Sequence, residues 1–174
     1  MIITDRAALA QVLQEAPILY LALRAEPAPY VVPVHFGIST DGTLLYLHGK
    51  LGGRKIELLR ADPRVGFSAC TEVTVIPAAS ACAFTASASS VVGTGRARIV
   101  ENEAERALGL DAIMAHYGDG DRNGNHPGDE GKGRPRYRPE SLARTAVIAI
   151  HVESLTGRRT GPTGKVPPDG PPPA

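Results

Sequence analysis

The stretch 30–62, YVVPVHFGISTDGTLLYLHGKLGGRKIELLRAD, constrains the fold of this chain more than any other. Two apolar runs, 30–36 and 43–48, flank an Asp41-Gly42 pair. Asp-Gly between two such runs is a strong hairpin signal, because both residues tolerate positive φ. In the second run Leu45 and Leu47 point to one side, and Leu44, Tyr46 and His48 to the other. Pro33 donates no ladder hydrogen bond, so its strand belongs at an edge, at a bulge or beside a ligand. The loop 49–53 is glycine-rich and leads into a helix over 54–60, with Ile56 and Leu59 inward and Pro63 as its stop. A helix start exposes unpaired N–H groups and partial positive charge, and here it also carries Arg54 and Lys55. The guanidinium fork and the point charge suit a phosphate monoester. The plainer alternative is a pair of solvated helix charges.

The rest of the chain reads as strands and helices around this unit. Asp5 or Thr4 caps a helix over 5–15 with Leu9, Val12 and Leu13 on one face, and Pro17 ends it. Residues 18–24 and 64–71 have strand character. The segment 72–87 is rich in Ala, Ser and Thr, and it predicts a strand within 73–77 and another starting near Phe84. Residues 90–100 and 145–152 are the clearest later strands, and 101–117 is a helix with Ala104, Leu108, Ala112 and Met114 near one stripe. That gives six or seven strands and three helices. Short turns rather than helical crossovers join most strands, so the expectation is an antiparallel barrel or sandwich with helices packed around it. Residues 1–156 are one domain. Within them, 118–140 holds six glycines and three prolines in a polar background, which marks a cover or a structureless loop. Residues 157–174 form a Pro/Gly-rich tail.

Composition excludes several classes. The net charge is +1, and the Lys/Arg clusters at 134–138 and 158–159 lack interleaved aromatics, so neither nucleic acid nor a membrane surface is an expected partner. No stretch approaches the roughly 20 apolar residues of a membrane span. The opening MIITDRAALA has neither a long apolar run nor a small-residue cleavage site, so the expected location is cytoplasmic. Cys70 and Cys82 match no zinc spacing and read as small apolar packing residues.

Other motifs are weaker. The segment 49–56, GKLGGRKI, superficially resembles a triphosphate loop, but Arg54 stands where the second glycine belongs and Ile56 where a magnesium-binding hydroxyl belongs. Gly93-x-Gly95 lies inside a strand and marks a close approach or a barrel kink. His35 and His48 lie in neighbouring hairpin strands without a third ligand, so no metal site is expected. His48 precedes the phosphate loop and is placed to hydrogen-bond or protonate a ligand there; packing in the strand is the alternative. His116, His126 and His151 have no evident partner, and Ser87, Ser89 and Ser90 make no nucleophile pattern.

The runs 29–70, 89–117 and 145–158 together resemble the FMN-binding split barrels related to pyridoxamine 5'-phosphate oxidase. Within them the chain is most similar to the 5-nitroimidazole-resistance (Nim-type) proteins. The resemblance covers residues 3–117 and 143–159 and rests on the order and spacing of these runs. It implies an antiparallel split β-barrel of mostly β class with helices, a homodimer, and FMN in clefts between subunits. By resemblance, Arg54 and Lys55 hold the phosphate, Pro33, Val34 and His35 pass the flavin ring, and Leu47, His48 and Gly49 lie beside the ring and ribityl chain. His48 matches the histidine near the flavin and its small-molecule ligand, and Ser90 matches a serine opening the later strand. Ser87-Ala88 stands where relatives often carry Arg-Tyr. The implied function is an FMN-dependent oxidoreductase of small aromatic or nitro compounds, with His48 orienting or protonating the substrate. The alternative is a non-catalytic carrier of flavin, deazaflavin or haem in the same fold, with His48 or His35 as an axial haem ligand.

Overall fold

The computed structural model describes residues 1–78, 80, 84–118, 137 and 139–161. Cys82, His126, nearly all of the polar segment 118–140 and the tail from residue 162 lie outside the described residues.

The hairpin forms where the sequence places it. Gly42 takes φ 70°, and the Gly42 amide donates to the Ser39 carbonyl at 2.8 Å. The Asp41 carboxylate collects the Ser39 hydroxyl (2.6 Å), the Thr43 amide (3.1 Å) and the Thr43 hydroxyl (2.8 Å), closing the turn. This turn joins β4 (Phe36–Ile38) to β5 (Leu44–Lys50), with Phe36 opposite Leu47. The expected single strand over 30–36 is interrupted at His35, so β3 (Tyr30–Val34) and β4 are separate strands.

That break decides the architecture. The remaining strands are β1 (Ile2–Ile3), β2 (Leu19–Leu23), β6 (Arg64–Cys70), β7 (Thr74–Ile76), β8 (Thr85–Ile99) and β9 (Thr145–Thr160). The sheet runs β3-β2-β6-β8-β9-β5-β4, with β1 on β9 and β7 on β8, and all pairings are antiparallel. The two end strands of this path, β3 and β4, are joined through one residue. Two residues apart, Val34 and Phe36 are within roughly 7 Å, so the sheet has to curl back on itself. The result is a barrel closed at His35 and split between β3 and β5.

Alternation fills the interior. Leu19, Leu21, Leu23, Val65, Phe67, Val91, Ile148 and Ile150 point inward and are buried. Helix α1 (Arg6–Glu15), capped by the Asp5 carboxylate on the Ala8 amide, adds Leu9, Val12 and Leu13 to that core. Helix α2 (Arg54–Ala61) adds Ile56 and Leu59. Helix α3 (Glu103–Tyr117), capped by Asn102, packs on the outside of β5 and β9 over Tyr46, Val147 and Ala149. This explains why the run 146–150 is apolar at every position: both of its faces are covered. A short α4 (Pro139–Ala143) leads into β9.

The two strand glycines serve packing. A Cβ on Gly93 would meet the Phe67 ring at 2.4 Å, and one on Gly95 the His151 carbonyl at 2.3 Å, beside the register shift between β8 and β9. Strand β9 continues to Thr160, eight residues past the expected end at Val152, so 157–160 belong to the sheet and not to the tail. Those residues are polar or glycine and carry no apolar run, but they complete ladders with β8 and β1.

Candidate functional site

The split is a wedge with its apex at His35. From the apex, β3 runs along one side, paired only to β2. On the other side β5 pairs with β4 up to Leu47, and beyond that point His48, Gly49 and Lys50 pair only with β9. The facing edges of β3 and late β5 therefore carry backbone groups without ladder partners among the described residues, which is a place for a ligand with hydrogen-bonding edges.

The polar side chains gather at this wedge. His35 and His48 each lie one residue beyond the Phe36–Leu47 pair. Phe36 and Leu47 point into the core, so alternation sends both imidazoles outward, and both are exposed. Lys55, half-buried at the start of α2, lies over Gly49: a Cβ there would stand 3.3 Å from its Nζ. Gly53 enters the helix at φ 99° without a side-chain cap, so the first-turn amides of α2 keep their donors free of one. Arg54 spreads over the Tyr30 ring at 5.6 Å. Among the described residues, neither Arg54 nor Lys55 has a carboxylate within ion-pair distance.

The electrostatics follow. Burial lowers the Lys55 ammonium below its ordinary pKa. Partial desolvation first, then the neighbouring His35 and Lys55, lowers the His48 imidazole below its ordinary pKa. A desolvated cation without a counter-ion among the described residues, next to an uncapped helix start, fits a phosphate group.

Not every residue singled out in the sequence reaches the wedge with its side chain. Val34 and Leu47 are core residues, and only their backbone borders the split. Pro33 offers a carbonyl and no N–H. Ser90 lies on the outer face of β8, opposite Cys70 and Arg158, three strands from β3 in the sheet order.

Tyr117 is the site residue that sequence reasoning missed. Its hydroxyl accepts from the Phe36 amide at 3.2 Å and donates to the Pro17 carbonyl at 2.9 Å. Its ring meets His35 edge-on, 4.9 Å between centroids. His116, without an evident partner in the sequence, bonds the Ala16 carbonyl through Nε2 at 2.9 Å and stacks on Phe36. The one available signal was a His-Tyr pair at the end of an amphipathic helix.

A separate cavity of about 580 Å³ lies between α1, the hairpin tip and β9. Its acidic rim is already engaged, Asp41 within the turn and Glu153 with Arg96, and it lies at the opposite end of β5 from His48. Among the described residues, no three His, Cys, Asp or Glu side chains gather to hold a metal, and no helix is long and apolar enough to cross a membrane.

Solved structures share this fold. A candidate 5-nitroimidazole antibiotic resistance protein from Bacteroides thetaiotaomicron is 24% identical, with TM-score 0.72 over 90% of this chain and 85% of that one. The flavocytochrome Anf3 of Azotobacter vinelandii is 24% identical, with TM-score 0.68 over 92% and 70%. An FAD and haem binding protein from Mycobacterium smegmatis is 22% identical, with TM-score 0.72 over 91% and 73%. No curated protein matches the chain significantly. The sequence profile described as pyridoxamine 5'-phosphate oxidase matches residues 5–159, nearly the whole described barrel, and the chain therefore belongs to that family.

Proposed function

We propose that the wedge binds a flavin, with FMN the best fit, and that the protein is an oxidoreductase of small aromatic or nitro compounds. The observation that carries this reading is the half-buried Lys55, unpaired among the described residues, beside the uncapped start of α2. Arg54, Lys55 and the first amides of α2 would hold the phosphate. The free edge of β3 at Pro33, Val34 and His35, with the backbone of Leu47, His48 and Gly49 opposite, would border the ring and chain. A bound flavin supplies the electron transfer. His48, exposed at the edge of the wedge, would hydrogen-bond or protonate the substrate.

The reading includes a homodimer. Tyr20, Val31 and Val92 are 48%, 57% and 60% exposed on the outer face of β2, β3 and β8, a surface continuous with the wedge. A second copy on that face would cover it, and Ser90 lies on the same face.

A second reading, a carrier of flavin, deazaflavin or haem, is favoured by two exposed imidazoles beside the wedge and by relatives named for FAD, haem and flavocytochrome. The visible spectrum of the freshly purified protein, with the mass of the released cofactor, tests both. Flavin bands and the mass of FMN are expected. A Soret band favours the carrier, an FAD or deazaflavin mass corrects the cofactor, and a colourless protein that takes up no added flavin sinks the reading.

A further inference from the structure

The break between β3 and β4 leaves the Phe36 amide at the apex of the split, where the ladder offers it no partner on the β3 side. The Tyr117 hydroxyl fills that place and is itself pinned to the Pro17 carbonyl. The same ring presses edge-on against His35, with an interplanar angle of 85°. A hydroxyl held by two backbone groups fixes the ring, and a fixed ring limits the rotamers of the imidazole it touches. His35 and His48 each lie one residue beyond the Phe36–Leu47 pair, the last rung between β4 and β5.

We infer that Tyr117 is a positioning residue that holds the His35 ring toward His48 at the apex of the wedge. The bearing on chemistry rests on the flavin reading above; the positioning does not. The groups around His48 come from three elements. His35 is on the β3–β4 link, Lys55 is on α2, and Val147, opposite on β9, is apolar. Tyr117 touches His35 directly. Both titratable neighbours oppose a proton on His48, so the restraint on His35 favours the neutral form that offers one donor and one acceptor to a ligand.

The test follows the His48 imidazole by NMR across pH in the full chain without added cofactor, so the outcome is independent of flavin binding. His35→Gln removes the neighbouring imidazole and raises the His48 midpoint by roughly a few tenths of a pH unit, the size of a screened interaction in a water-exposed setting. Tyr117→Leu frees His35 and moves the midpoint in the same direction. In the His35→Gln background, Tyr117→Leu adds no further shift. A His48 midpoint unmoved by His35→Gln or by Tyr117→Leu overturns the inference. So does a full extra shift in the double variant, which would mean that Tyr117 acts by another route. Should Tyr117→Leu fail to fold, the wild-type chain still decides. Through-space signals between the His35 and Tyr117 rings are expected, and their absence rejects the contact.

Discussion

Gly37 of β4 lies directly against the backbone of Ala112 in α3: a Cβ on Gly37 would stand 2.3 Å from the Ala112 carbonyl carbon. No side chain can yield there, because the obstacle is main chain. The same close approach carries the end of α3, with His116 and Tyr117, to the apex of the split.

Gly37→Ala is therefore expected to destabilise the fold by about 3 kcal/mol, the upper range for overpacking a tight interior. Gly66→Ala is the control, since its nearest neighbour is the Ala22 Cβ at 3.8 Å, and it should stay within about 1 kcal/mol of wild type. Urea unfolding of the two variants checks this. Equal stability would show that α3 is not seated on β4 as described.

Arg54→Ala and Lys55→Ala should each weaken flavin binding by roughly tenfold or more, because hydrogen bonds to charged groups are worth about 1.5–3 kcal/mol. The double variant should purify without cofactor. His48→Ala should instead lower turnover while leaving flavin affinity within roughly threefold, the effect of losing a neutral contact. Fluorescence titration with FMN separates the two behaviours, and unchanged affinity in the double variant would remove the phosphate assignment.

The Asp41 turn predicts an acid-sensitive hairpin. Hydrogen bonds from the Ser39 hydroxyl, then from the Thr43 amide and hydroxyl, hold the carboxyl at about 2, below its ordinary 3.8. A carboxylate with a lowered folded-state pKa stabilises fully above its unfolded value and loses that contribution as pH falls. The window is pH 3.8 down to about 2. Asp41→Asn should lower the melting temperature at pH 6 and flatten its fall across this window. Parallel melting curves for variant and wild type from pH 6 to pH 2 would count against it.

Val92→Asp, on the exposed outer face, should leave the monomer fold intact and shift the protein from dimer to monomer. Sedimentation velocity reads this directly. A wild-type monomer, or a variant that still dimerises with unchanged affinity, rejects this face as the contact.

Much of the barrel follows from local chemistry along the chain. The Asp41-Gly42 turn requires positions 36 and 47 to pair, because a hairpin turn sets register for the ladder that it closes. Pro33 called for an edge, a bulge or a ligand, and among the described residues β3 is an edge strand. Asp5 and the stripe of Leu9, Val12 and Leu13 announced α1. The Arg54-Lys55 pair after a run of glycines marked the helix start that borders the split.

Only the tertiary structure decided how these parts meet. The break at His35 has no sequence signal, since it arises where a curled sheet must close on itself. Strand β9 extends over polar residues to Thr160 because β8 and β1 offer ladder partners, which local propensity cannot register. Tyr117 is 81 residues from the amide that it satisfies. Periodicity and turn chemistry act over a few residues, whereas that contact exists only once α3 is laid across the barrel.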